Sequence, residues 1–429
     1  MLAIGSTLVR RNARRPFLFW IALAIATAFP CPRTEAQQGP EFAVQGYVTA
    51  VQSANRFEVD GKHVETSPAT TWQIMDKTAL ISGDWLPQAA AQVGAYLRVA
   101  GPTNRHTHII HAEEISLRDD RDKKLSGIGV IDRILEAGPQ PTFRTDGYLI
   151  RVTPTTSIFF NDEIKSTADI HPDTWLRYEG KRDGTGVLLA SKITFVHVKS
   201  SSYSASQSSP SSSAPAEDEH GAIRYTPIND AALQHRIQRI GMSIVPAYQK
   251  ELPDDSPSKI HFRFVATDNE KYHWENCAAD GLILVPKLVV DRLTRDDQLA
   301  AVLADGVAFN LQHQAARLYS EGHSLEGIQN SGYFFLPVGL AAVVGSRTVE
   351  RKMLYSMEEQ RGRVALALMS DAGYDPWQSP EAWRLLAPKR LPADLTSLHY
   401  PENSGYLLSV LSLQYSKATA PSSAAATPQ

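Results

Sequence analysis

Asp297-Gln298-Leu299-Ala300-Ala301-Val302-Leu303-Ala304-Asp305-Gly306-Val307-Ala308-Phe309-Asn310-Leu311 is the stretch whose reading decides the fold of the second half of this chain. Thr294-Arg295-Asp296 precedes it, which places a threonine at a helix N-cap and acids in the first turn, where the macrodipole favours them. The pattern predicts a helix from Arg295 to Glu321. Upstream, Leu233, Ile237, Ile240 and Ile244 share one face of a helix predicted over Asn229–Lys250. Lys259–Val265 alternates as a strand, and Gly281–Pro286 reads as a second. Residues 226–416 are therefore expected to form a mainly α, α+β domain, followed by an Ala/Ser/Thr/Pro-rich tail at 417–429 that is too poor in apolar residues to build a core.

Moving toward the N-terminus, residues 199–220 are rich in serine and proline and predict a flexible linker. Before it the apolar period changes to two, broken by Gly, Pro, Asn and Asp, the pattern of antiparallel strands. This segment is duplicated. Gly46-Tyr47-Val48 returns near Gly127-Ile128-Gly129-Val130, and Asp60-Gly61-Lys62 returns as Asp146-Gly147-Tyr148. Tyr96–Gly101 returns as Trp175–Gly180, and the strand around Ala112–Ile115 as Ala190–Ile193. Two β-units are expected, at 42–118 and 124–198, each closing into a small OB-like barrel without exposed edges. They resemble the β-barrel modules labelled DUF5666, found in exported bacterial proteins.

The C-terminal domain resembles the M48 family of zinc metallopeptidases over roughly residues 230–413. The resemblance rests on Arg236-Ile237-Gln238-Arg239-Ile240-Gly241, Asp280–Pro286, Asp297–Ala304, Asp371-Ala372-Gly373-Tyr374-Asp375-Pro376 and the later His399-Tyr400-Pro401. In that family two histidines one helical turn apart hold zinc, the glutamate after the first activates the bound water, and a glutamate from a later helix completes the site. Carried over, those positions fall on Asp305, Gly306, Phe309 and Gln360, with the acid two residues beyond on Gly362. Phe309 offers no lone pair, Gln360 a neutral amide oxygen, and Gly306 nothing that accepts a proton. No catalytic residue, metal or other cofactor is therefore expected. His313, His323, Glu358 and Glu359 remain as candidate substitute ligands, against the plainer reading of exposed polar groups. The resemblance implies a pseudopeptidase that holds an extended peptide along the edge of Gly281, Leu282, Ile283, Leu284 and Val285. An active zinc endopeptidase with relocated ligands is the alternative, and binding through the β-units a third.

The first 36 residues read as a signal peptide: Arg10, Arg11, Arg14 and Arg15, an uncharged run from Phe17 to Phe29, then Thr34-Glu35-Ala36. Arg14-Arg15-Pro16-Phe17-Leu18 fits a twin-arginine core as well as a Sec signal. The expected location is periplasmic or secreted, with a polypeptide or protein partner there. The apolar run is shorter than a bilayer requires, so no permanent span is expected, and Tyr333–Val344 is likewise too short. Cleavage after Ala36 would remove five of the 43 basic and one of the 46 acidic residues and take the net charge from −3 to −7. So acidic a chain lacks the basic footprint that phosphate backbones require, and nucleic acid is excluded as a partner. His106 and His108 would share one face of a strand and could chelate a metal, but no third ligand sits nearby in sequence.

Overall fold

The computed structural model describes residues 42–75, 92–118, 123–183, 185–196, 209–210, 224–268, 275–315, 347–387 and 401–415. The N-terminal region is mostly β-sheet. Its first unit contains β1 (Phe42–Ser53), β2 (Arg56–Val59), β3 (Lys62–Glu65), β4 (Thr71–Ile74), β5 (Tyr96–Ala100), β6 (Ile110–His111) and β7 (Glu114–Leu117). The second contains β8 (Leu125–Glu136), β9 (Thr142–Thr145), β10 (Tyr148–Arg151), β11 (Ser157–Phe159), β12 (Trp175–Arg182) and β13 (Leu188–Phe195). The strand orders are β4-β7-β5-β1-β2-β3-β6 and β10-β9-β8-β12-β13-β11, and a parallel β10–β13 pairing closes the second sheet on itself. The parallel β3–β6 pairing is its counterpart, since β6 and β7 together correspond to the single long β13. Each unit encloses its own core, with Val48, Phe57, Leu97 and Ile115 in one and Ile131, Phe143, Leu176 and Ile193 in the other.

The duplication extends to backbone conformation. Asp60-Gly61 and Asp146-Gly147 each make a two-residue hairpin turn with positive φ at both positions, 43° and 79° in the first, 55° and 70° in the second. Asp and Gly tolerate that left-handed geometry, which matches the twist of the flanking strands. Gly101 and Gly180 are equivalent by contact: a Cβ would lie 2.1 Å from the His111 carbonyl oxygen in one and 2.4 Å from that of Leu189 in the other. Their settings differ, a bend after β5 against a register shift inside β12.

Beyond β14 (Ser209–Pro210) and its partner β15 (Arg224–Tyr225), the region is helical around one small sheet. Its elements are α1 (Ala231–Ile244), α2 (Ala247–Glu251), β16 (Arg263–Thr267), β17 (Asn276–Cys277), β18 (Leu282–Pro286), α3 (Lys287–Arg292), α4 (Asp296–Leu311), α5 (Arg347–Asp371), α6 (Ser379–Leu386) and α7 (Pro401–Gln414). The helix expected over Asn229–Lys250 is two helices. Asp230 caps the first, its carboxylate accepting from the Leu233 N–H, and Pro246, which cannot extend a helix, separates it from the second. The next helix begins after Arg295 rather than Thr294 and ends at Leu311, because His313 turns to φ 44° and Gln312 closes the last turn.

The strand expected to offer an open edge for peptide addition is the centre of its sheet. β18 pairs with β16 along all five residues and with β17 at Ile283 and Leu284. Leu282, Ile283, Leu284 and Val285 are all buried. The outer edge of β16 is closed too. The Phe264 and Ala266 N–H groups donate to Gln238 and Gln234 Oε1 at 3.1 and 3.0 Å, so two glutamines one turn apart on α1 satisfy alternate groups of the edge. Gly241 lets α1 lie directly on the Phe264 ring, where a Cβ would come within 2.4 Å.

Candidate functional site

Asp305, Gly306, Phe309 and Gln360, onto which the resemblance carries zinc chemistry, have separate structural duties. Asp305, 1% exposed, points from α4 toward α5, where Arg361 Nε lies 2.7 Å from its Oδ2. Arg361 Nη2 also reaches Glu358 Oε2 at 2.6 Å, a pair one turn apart on α5. Burial opposes the guanidinium charge, but Asp305, Glu358 and Glu275 outweigh it and hold Arg361 above its ordinary value. Glu275, just before β17, is the fourth member. Burial, then the Asp305 charge and a hydrogen bond to it, push the Glu275 carboxyl well up, favouring the protonated form that donates to Asp305. Buried charges persist only when paired in this way. Cys277 lies beside the cluster, and burial followed by Glu275 raises its thiol well above the usual range.

Gly306 faces the sheet. A Cβ there would stand 3.0 Å from Cys277 Sγ and 3.0 Å from Ile283 Cγ2, so the absent side chain is what allows α4 to pack flat on β17 and β18. Phe309 belongs to the main apolar core with Leu299, Val302, Val364 and Trp383. Gln360 Nε2 donates to the Ile128 carbonyl of β8 at 2.7 Å. Gln360 therefore contacts the second β-unit.

Gln360 is one member of a broader contact. At the end of α4, Gln312 Oε1 accepts from the Val130 N–H at 3.0 Å, and its Nε2 approaches the Val130 carbonyl at 3.4 Å. His313 Nε2 lies 3.2 Å from Asp173, with its ring tilted against Trp175 at 5.8 Å. Farther along α5, Arg363 pairs with Asp146, donates through Nε to the Asp146 carbonyl at 3.0 Å, donates to Tyr406 Oη at 2.5 Å and covers the Tyr148 ring at 4.7 Å. Tyr178 donates to the same Asp146 carboxylate. Burial opposes the Arg363 charge as well, and Asp146 more than compensates. At the end of α5, Asp371 accepts from Arg133 and Arg144 at 2.6 and 2.7 Å, and Arg144 also holds the buried Asp132 at 2.7 Å. Burial raises Asp132 in spite of that arginine. The first β-unit meets α7: Gly405 lies against Tyr47, and Gly94 against the Leu408 carbonyl.

The candidate substitute ligands are not brought together. His313 engages Asp173, Glu358 engages Arg361, Glu359 is exposed, and His323 lies outside the described residues. Among the described residues no group of three or more His, Cys, Asp or Glu could hold a metal ion. His106 and His108 sit in a turn rather than on a strand, because the Asn104 carboxamide accepts the N–H groups of His106 and Thr107. Among the described residues no helix is long and apolar enough to cross a membrane; Tyr333–Val344 lies outside them. The signal peptide, the tail and nearly all of the linker also lie outside. Sequence reasoning missed Glu275, Gln312, Arg361 and Arg363. The signal available for the arginines was their position just before the apolar run Val364–Met369.

The family model described as Domain of unknown function (DUF5666) matches residues 45–116 and 128–194, one match for each β-unit. Both matches end before the helical region. No curated protein matches the chain.

Proposed function

We propose that this chain, whose two β-units match DUF5666, is an exported, non-catalytic protein in which a metallopeptidase-like helical domain holds polypeptide without cutting it. The observation that carries the reading is the Asp305–Arg361–Glu358 cluster. Where the family resemblance puts a dication, carboxylates from α4 and α5 converge on a guanidinium. This cation needs no metal, cannot be deprotonated at working pH, and offers no open coordination position to water. Gly306, at the position of the catalytic glutamate, has no group to take a proton. The strand order, closed through β10–β13, supports reading the β-units as OB-like barrels. Since β18 is paired on both sides, a polypeptide partner would be held elsewhere than along Gly281–Val285.

Elemental analysis of protein purified without chelators, together with a quenched-peptide assay, tests this reading. We expect far less than one zinc per chain and no cleavage above background. One zinc per chain with chelator-sensitive cleavage would overturn it.

A further inference from the structure

We propose that Ile128–Val130 of β8 is an intramolecular polypeptide ligand, and that Gln312 at the end of α4 and Gln360 on α5 form a seat that reads the backbone of an extended chain. The contacts that join the two glutamines to Ile128 and Val130 are to main-chain atoms. Gln312 Oε1 accepts the Val130 N–H at 3.0 Å while its Nε2 approaches, at 3.4 Å, a Val130 carbonyl that also accepts from the Thr145 hydroxyl, and Gln360 donates to the carbonyl of Ile128. The reason lies in strand length. β8 runs for twelve residues, while β9 joins it only from Ile131 onward. On that side Ile128–Val130 lie beyond the β9 register, where the Thr145 hydroxyl of β9 reaches the Val130 carbonyl at 3.0 Å, and an unpaired buried backbone group is costly. The two glutamines supply the partners that β9, apart from the Thr145 hydroxyl, does not reach. They are themselves buried, at 0% and 3% exposure, so an emptied seat would leave polar amides unsatisfied.

What keeps β8 seated is the turn Asp146-Gly147. It rests on α5 so closely that a Cβ at Gly147 would fall 2.5 Å from Arg363 Cβ and 2.6 Å from its carbonyl carbon. Because the seat reads no side chain of β8, its ligand class is extended polypeptide, with β8 as the resident occupant. This deepens the proposed function by naming the polypeptide and the residues that hold it. It rests on that function only for the idea that the helices hold polypeptide: zinc-dependent cleavage would overturn the former and leave these contacts standing.

The test uses the full-length protein, a fluorescein-labelled peptide of the sequence Leu125–Glu136, and amide exchange at Val130. In the wild type the Val130 amide should be protected and the peptide should show no saturable anisotropy change. Gly147→Ala should speed Val130 exchange at least tenfold and open saturable binding, and adding Gln312→Ala with Gln360→Ala should abolish that binding. Asp146→Asn, which preserves the turn's shape while weakening its hold on Arg363, should give the same result in smaller degree and serves if Gly147→Ala fails to fold. Three outcomes would overturn the proposal: Val130 equally protected in these variants, faster exchange without peptide binding, or binding that survives loss of both glutamines.

Discussion

The two β-units carry the same Asp-Gly turn in the same left-handed conformation, yet the turns have different surroundings. A Cβ at Gly61 would meet nothing within 4 Å, whereas one at Gly147 would strike the α5 backbone. Asp60 accepts the Tyr47 N–H and lies against Gly405 of α7, while Asp146 pairs across to Arg363 and also accepts from Tyr178. Duplication preserved the local device, and the second copy turned it outward into a docking contact. The first copy meets α7, where Gly405 lies against both Tyr47 and the Asp60 carboxylate. Identical local structure therefore fixes a hairpin but not its partner, which is set by what the helical region presents.

The largest expected effect breaks the docking contact on the second unit. Arg363→Met strands a buried Asp146 carboxylate, and removing one partner of a buried pair costs about 3–5 kcal/mol. Urea unfolding should register this as a lower midpoint. The two turns can then be compared directly. Gly61→Ala should cost about 1–2 kcal/mol, the strain of a left-handed residue. Gly147→Ala should cost more by about 1–3 kcal/mol, the usual range for overpacking, as it adds a collision with the α5 backbone. Equal losses in thermal denaturation would mean that the second turn bears no load.

Gly306→Ala sharpens the same point within the helical core. In an exposed helix the change would gain about 1 kcal/mol from propensity. Here the added methyl meets Cys277 and Ile283, and we expect a net loss of about 1–2 kcal/mol because overpacking outweighs that gain. The smallest effect concerns pH. A carboxyl whose folded pKa is raised contributes stability that is fully present below its unfolded value and lost as pH rises toward the folded one. Glu275→Gln cannot ionise, so wild type should lose stability relative to this variant as pH rises above about 4.5, the ordinary value for a glutamate. The difference should keep widening as pH rises while Glu275 stays protonated in the folded protein, by up to about 1.4 kcal/mol per pH unit. Parallel stability curves for the two proteins would contradict the assignment of Glu275 to the Asp305 cluster.

Much of this architecture was legible because its signals are local. Asp60-Gly61 and Asp146-Gly147 declare hairpins, and their flanking motifs reveal the duplication. Acids at 296 and 297 mark the start of α4, and Pro246 marks a break that a longer periodic run concealed. The role of β18 was not legible, because its antiparallel partner is two residues long and leaves no pattern of its own. The seat was hidden for a similar reason: Gln312 and Val130 are 182 residues apart, and a glutamine reading a backbone imposes no sequence on its partner. The residue types at Asp305, Gly306, Phe309 and Gln360 could be read directly, and they include no histidine and no glutamate. What surrounds them could not, since Arg361 and Glu275 gain meaning only when α4, α5 and β17 converge.

The central claim is that Gln312, Gln360 and Arg363 hold the second β-unit on the helices. Its most direct test places a protease site at residues 212–218 of the full-length protein, cuts it, and follows both fragments by size-exclusion chromatography at micromolar concentration. The account predicts that the cut wild-type halves elute together, and that they separate once Gln312→Ala, Gln360→Ala and Arg363→Met are combined. Separation of the otherwise wild-type halves after cutting would contradict it.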